Sequence, residues 1–187
     1  MAQSEKFLPH FHIPLQSGSN KILKIMRRRY LTDYYADRVY TIKNLLPDAS
    51  IGVDVIVGFP GEKDEEFQET YDFLNELDVS YLHVFSYSER DHTDAIKISR
   101  KVNLDIIKER SKKISKLSNK KKNEFYNKNI GAIRKVLVES CDDGILSGLT
   151  ENYIRVKVVG KSEEINSIIS LQLMKIQENI MMGHRKI

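Results

Sequence analysis

The amino-acid sequence predicts an α/β partial (β/α) barrel, three strand–helix units and a long basic helix, followed by a small all-β barrel or sandwich. Three observations carry this reading. Residues 51–58 (Ile-Gly-Val-Asp-Val-Ile-Val-Gly) set Ile51, Val53, Val55 and Val57 against Gly52, Asp54, Ile56 and Gly58, the period of a strand. Apolar residues at helical spacing flank it, with Tyr35, Val39, Ile42 and Leu46 before and Phe67, Tyr71 and Leu74 after. Beyond residue 128, short alternating segments recur at about ten-residue spacing between turn signals.

Each element follows in order. His10 to Leu15 forms an apolar run with Phe11, Ile13 and Leu15 on one side, and the turn Gln16-Ser17-Gly18-Ser19 follows it. Ser19 is a good N-cap for a helix reaching about Arg29, and Thr32 for the next, which Pro47 and Asp48 stop. Phe59-Pro60-Gly61 ends the 51–58 strand, and the acids of the following helix crowd its first turns, where the helix dipole favours them. Tyr81 to Tyr87 is a third strand. Three such units are too few to close a barrel of eight. Asn103 opens a helix running to about Asn127, with Leu104, Ile107, Ile114, Leu117 and Phe125 as a thin apolar stripe. Four strands are then expected, at Ile133–Glu139, Ile145–Gly148, Tyr153–Val159 and Leu171–Ile176. The domain boundary is placed near residue 128, giving domains 1–127 and 128–187.

Composition narrows the function classes. With 187 residues, 41% hydrophobic and 30% charged, the chain can bury a core and remain soluble. No apolar run approaches the roughly 20 residues of a membrane helix, no signal-peptide stretch opens the sequence, and a cytoplasmic location is expected. The single Cys141 excludes a disulfide framework, a cysteine-held cluster or a zinc–cysteine site, and no metal-ligand set is assigned. The net charge of +4 hides a segregation. Residues 62–78 carry eight acids against Lys63, while residues 97–135 carry fourteen Lys or Arg against three acids. The basic block reads either as a polyanion footprint or as a solvated helix face.

Ligands of parallel α/β folds bind at the carboxyl ends of strands. Residues 16–19, 58–61 and 86–90 are three such ends, readable as a ribose- or carboxylate-binding rim or as ordinary turns. The full strings decide between the two. "HIPLQSGSNKILKIMRRRY", "IGVDVIVGFPGEKDEEFQET" and "LHVFSYSERDHT", in this order, resemble the second half of the barrel of radical S-adenosylmethionine (SAM) methylthiotransferases. Within them the likeness is greatest to those acting on N6-threonylcarbamoyladenosine in tRNA. "GILSGLTENYIRVKV" resembles their C-terminal TRAM domain, an RNA-binding β-barrel.

The resemblance implies a methylthio transfer to C2 of that nucleoside, SAM as cofactor, two [4Fe–4S] clusters in the full-length enzyme, and tRNA bound at its anticodon region. It places Gln16, with Ser17 and Ser19 nearby, at the SAM ribose, and Ile56, Gly58 and Phe85 at the adenine. Arg90, in the loop matching the family's YSxR, faces substrate or carboxylate; Asp91-His92-Thr93 departs from the family's RPGT. Lys120, Lys121, Lys122, Tyr153, Arg155 and Lys157 are the expected RNA contacts, the last three on one strand face. Neither cluster is expected on this chain, which reads as a fragment without turnover. Its open half-barrel predicts self-association, or an edge capped by the long helix or the first ten residues. The alternatives are an enzyme for isopentenyladenosine or a ribosomal-protein aspartate, or a non-catalytic RNA-binding module. His12 reads as a hydrogen-bonded interior histidine and His83 as packing. Asp54 either lines the SAM side or pairs with a base, and Cys141 is expected to be inert.

Overall fold

The computed structural model describes residues 6–89, 91, 93–98 and 100–185. In chain order it forms β1 (His10–His12), α1 (Asn20–Ile25), α2 (Thr32–Leu45), β2 (Ser50–Val57), α3 (Asp64–Glu76) and β3 (Tyr81–Ser86). A 3₁₀ turn (Asp94–Lys97) and α4 (Leu104–Lys128) follow, then β4 (Ile133–Asp142), β5 (Ile145–Thr150), β6 (Arg155–Val159), β7 (Ile168–Gln177) and β8 (Ile180–Arg185). The chain divides into two compact units, one of residues 11–45 and 51–121, the other of the described residues up to His10, residues 46–50 and those from Lys122 onward.

The first unit is built on a sheet in the order β1-β2-β3, with β2 central. β2 and β3 are parallel, pairing Gly52 with Tyr81, Asp54 with His83 and Ile56 with Phe85. The alternation of β2 has the predicted consequence. Ile51, Val53, Val55 and Val57 are buried with Leu15, Tyr35, Val39, Phe67, Leu74, Leu82, Ile114 and Leu117 in one core. Each large side chain so enclosed contributes about 1.5–3 kcal/mol of hydrophobic stabilisation. The long helix also caps a sheet edge, as one expectation had it: Ser118 Oγ donates to Leu82 O and accepts from Leu82 N–H, both at 2.9 Å.

Three local expectations change. Strand β1 stops at His12 rather than Leu15. The pairing nevertheless continues: Ile13 N–H donates to Gly52 O (2.9 Å), Leu15 N–H to Asp54 O (3.2 Å), and Gln16 bridges to Val55. Helix α1 ends at Ile25, not near Arg29. Arg27 takes φ +58°, its N–H donates to Lys24 O and that of Arg28 to Leu23 O, which is the Schellman arrangement that closes a helix. Ser19 holds the N-cap backbone position of α1 but its side chain makes no capping bond. Asn103, by contrast, caps α4, its Oδ1 accepting from Asp105 N–H at 2.8 Å.

The second unit is a closed barrel in the order β4-β5-β6-β8-β7, antiparallel except between β6 and β8. Its interior holds Val136, Val138, Leu146, Ile154, Val156, Leu171, Leu173 and Met181, with Phe125 and Tyr126 of α4. Closure into a barrel removes free sheet edges. The fifth strand, β8, was not foreseen. Its turn, Glu178-Asn179, has both residues at positive φ (51° and 63°). A turn of this kind favours Asn-Gly or Asp-Gly, so Glu-Asn signals it weakly, whereas Asp143-Gly144 before β5 announces itself. Tyr153 lies in the turn before β6 at φ +67°, so it does not share a strand face with Arg155 and Lys157.

A buried polar knot ties residues 46–50 to this barrel. Fully buried Asn152 donates to Asp48 O and Asn129 Oδ1, both at 3.0 Å, and accepts from Thr150 Oγ1 at 2.7 Å. Replacing Asn152 by Ala orphans those partners, each at about 1–3 kcal/mol. We expect Asn152→Ala to lower stability by roughly 2–3 kcal/mol, read as the urea midpoint of far-UV circular dichroism.

Candidate functional site

The face of the β1-β2-β3 sheet opposite the core carries the small and polar residues of the alternation. Gly52 leaves the Tyr81 ring its place, since a Cβ there would lie 2.4 Å from that ring as it now stands. Beside it Asp54 Oδ1 meets His12 Nε2 at 2.6 Å, and the His83 ring lies 5.4 Å from that of His12. Farther along, half-buried Ile56 pairs with Phe85, whose side chain is 51% exposed. Ile56 also lines a cavity of about 430 Å³ with Ile25, Met26, Phe59, Asp94 and Ile98, a size within the range of small-molecule sites. Lys97 (2.9 Å) and then Arg27 (2.7 Å) bond Asp94 and hold its carboxyl below its ordinary range.

Both loops at the carboxyl ends of β1 and β2 are fastened to helices. Thr70 Oγ1 lies 3.2 Å from Ser17 Oγ and accepts from Gly18 N–H, while Ser19 N–H donates to Ser17 Oγ. Gly18 leaves no room for a side chain, since its Cβ would fall 2.7 Å from Thr70 Cα. Lys21 Nζ bonds Glu66 at 2.5 Å, and Glu66 also accepts from Lys63 N–H, which together hold its carboxyl below the usual range. The second loop is secured by Arg110. Its guanidinium donates to Glu62 Oε1 at 2.5 Å and to Asp64 Oδ1 at 2.7 Å, with Arg110 and Glu62 both buried. Burial pushes the Glu62 carboxyl up, while the Gly58 N–H and Arg110 pull it back.

Not every expected site residue faces the open side. Ile56 and Phe85 lie together there, and half-buried Gln16 closes the end of the pairing at φ +74°. Gly58 faces α4 instead, since a Cβ on it would fall 2.4 Å from Ile107. Ser17 and Ser19 are enclosed. Ser19 Oγ and Tyr87 Oη, which follow β1 and β3, are buried without hydrogen-bond partners among the described residues. Closed to solvent, these hydroxyls are closed to a ligand on the open face as well. Half-buried Gln16 offers an amide and the Ile56–Phe85 pair an open apolar surface, groups whose chemistry an adenosyl moiety would need. A [4Fe–4S] cluster does not fit: it takes thiolate ligands in number, and the chain has one cysteine, Cys141 in β4. Arg90 lies outside the described residues.

Among the expected RNA contacts, Lys121 is turned inward. It is 6% exposed and donates to Asn75 O and Leu77 O at 2.6 Å, neutralising the carbonyl end of α3. Lys120 bonds Asn75 Oδ1, and Lys122 sits 5.2 Å from the Tyr126 ring centre. Arg155 and Lys157 alternate with buried Val156 and Val158 and point outward, Arg155 pairing with Glu139. Tyr153 stacks on His10 with ring centres 4.0 Å apart. The pair edges an apolar groove of about 530 Å³ lined by Phe7, Leu8, Leu137 and Ile168. Sequence reasoning missed this stack and the Arg110–Glu62 pair, because neither partner signals the other across the chain.

The Radical SAM superfamily model matches residues 1–74, the part of the chain that holds β1, β2 and most of α3. Its relatives are narrower in kind. The threonylcarbamoyladenosine tRNA methylthiotransferase of Aquifex aeolicus is 47% identical over 163 residues, 87% of this chain and 39% of the relative. The corresponding Bacillus subtilis protein is 37% identical over 178 residues, 92% of this chain and 40% of its own. The tRNA-2-methylthio-N(6)-dimethylallyladenosine synthase of Endomicrobium trichonymphae is 36% identical over 183 residues, 98% and 44%. The chain is similar to these tRNA methylthiotransferases over most of its own length, and it spans about two fifths of theirs. Among the described residues no helix is long and apolar enough to cross a membrane.

Removing Arg110 would leave Glu62 buried without its cation. Breaking one partner of such a pair costs about 3–5 kcal/mol. A carboxyl raised in the folded state gives stability below its unfolded pKa that is lost as pH rises through the folded value. Arg110→Met should therefore differ less from the wild type at about pH 4 than at about pH 8, in urea unfolding followed by circular dichroism.

Proposed function

We propose that this chain is the SAM-facing part of a radical SAM tRNA methylthiotransferase barrel, joined to a TRAM-like RNA-binding barrel. The whole protein would place a methylthio group on C2 of N6-threonylcarbamoyladenosine in tRNA. The observation that carries this reading is the 47% identity to the threonylcarbamoyladenosine enzyme over 87% of the chain, against 36% to the dimethylallyladenosine enzyme. The dimethylallyl substrate is the second reading, since that relative aligns over 98% of the chain.

In this reading the division of labour is physical. Gln16, Ile56 and Phe85 hold the adenosyl part, the first through its amide and the other two through the open apolar surface they share. The Thr70 and Arg110 anchors keep the two loops rigid around it, so less ordering cost is paid on binding. When bound, SAM supplies both the radical chemistry and the methyl group of this family. The reducing cluster must come from thiolates beyond Cys141, so the chain alone is proposed not to turn over. Arg155, Lys157, Lys120 and Lys122 neutralise tRNA phosphate, and Lys121 is assigned to structure. The anticodon region as contact, a cytoplasmic setting and self-association through sheet edges belong to the same proposal.

Two measurements test it. Titration of tRNA into the chain should show affinity falling steeply between low and physiological salt. A double Arg155→Ala, Lys157→Ala variant should flatten the slope of log K against log salt by about 1–2. No binding at low salt, or a slope untouched by the double variant, would sink the RNA role. Separately, SAM should shift the amide resonances of Gln16 and Ile56 in the wild type and not in Phe85→Ala. A spectrum unchanged at millimolar SAM would remove the cofactor assignment.

A further inference from the structure

The three parallel strands of the first unit each deliver one potential metal ligand to the same open face: His12 from β1, Asp54 from β2 and His83 from β3. This follows from register. Asp54 and His83 are direct partners in the β2–β3 pairing, and the backbone O of Asp54 receives the Leu15 and Gln16 N–H groups of the chain leaving β1. The pleat then sends all three side chains to one side, away from the core that Val53, Val55 and Leu82 enter.

Their donor atoms all lie within 4.8 Å of one another, with His12 Nε2 and Asp54 Oδ1 at 2.6 Å. The His12–Asp54 hydrogen bond explains two of the three groups. It does not explain His83, whose side chain makes no hydrogen bond among the described residues and is exposed, in ring contact with His12 and Tyr81. An ion bonded at about 2.0–2.2 Å to nitrogen and oxygen sets neighbouring donors roughly 3–3.5 Å apart. Reaching that spacing requires the His12–Asp54 contact to open by a few tenths of an ångström and His83 to swing inward by about 1 Å. Side chains as accessible as His12 (47% exposed) and His83 make such adjustments by rotamer change.

The geometry points to a mononuclear site for a divalent first-row transition ion, held by His12, Asp54 and His83. Two imidazoles and one carboxylate suit zinc, cobalt, nickel or iron(II), and they leave coordination positions open. Those positions face the solvent side of the sheet that Ile56 and Phe85 share, so a carboxylate or phosphate oxygen of a ligand lying there completes the shell. The site differs in donor type from a thiolate-held cluster and does not depend on the tRNA reading, because a chain that binds no RNA still binds the ion.

Cobalt(II) is the probe: its visible d–d absorption reports coordination geometry directly. Titrated into the full chain, it should bind with one-to-one stoichiometry and give a d–d band. His83→Gln, His12→Gln and Asp54→Asn should each weaken binding at least tenfold, while His184→Gln, which alters a histidine of the barrel, should leave it unchanged. Far-UV circular dichroism of each variant confirms its fold, and the exposed position of His83 makes His83→Gln the decisive substitution. The assignment is overturned if the wild type shows no band at a tenfold excess of cobalt, or if His83→Gln binds as the wild type does. The latter outcome would leave His12 and Asp54 as a hydrogen-bonded pair and nothing more.

Discussion

The first unit depends on one constraint, the period-two alternation of β2 with parallel partners on both sides. A strand has only two faces, and a central strand cannot shift by one residue without turning its whole apolar set outward. Here Ile51, Val53, Val55 and Val57 take the core side, under α2, α3 and α4. What remains, Gly52, Asp54 and Ile56, defines the open side by exclusion. The register then brings Tyr81, His83 and Phe85 beside them in the same order. The polar triad, the apolar Ile56–Phe85 patch and the cavity next to Ile56 are all consequences of that one pattern.

A sheet face so arranged is useful only if the loops at its end stay in place. The two anchors do this by different physics. The Gln16–Ser19 loop is held by neutral hydrogen bonds around Thr70 and by a glycine pressed to the α3 backbone. The Gly58–Glu62 loop is held by a buried ion pair, which stabilises little on balance but is costly to break. A geometry defined in this way tolerates few rearrangements.

The barrel unit solves a separate problem. Among the described residues its strands close on one another, which leaves no free barrel edge to recruit another chain, and its core cluster is apolar apart from the buried Asn152 network. Outward positions are therefore free to carry charge, and Arg155 and Lys157 use them. The buried Asn152 network joins residues 46–50 to this unit, so a segment lying between α2 and β2 in the chain packs with strands a hundred residues later.

The sequence by itself determined the period of β2, the apolar stripe of α4, the cap at Asn103, four of the five barrel strands and the strings that mark the family. These are local signals, readable because side-chain period and cap chemistry are written within a few residues. Only the tertiary structure decided which lysine is buried, that Gly58 serves packing against Ile107, that Tyr153 stacks on His10, and that Arg110 reaches Glu62. Likewise His12, Asp54 and His83 carry no spacing that marks them as a set; separations of 42 and 29 residues become a few ångströms only through parallel pairing. The reason is the same in each case. Composition and period fix what a segment is, but burial and long-range contact depend on which segments the fold lays side by side.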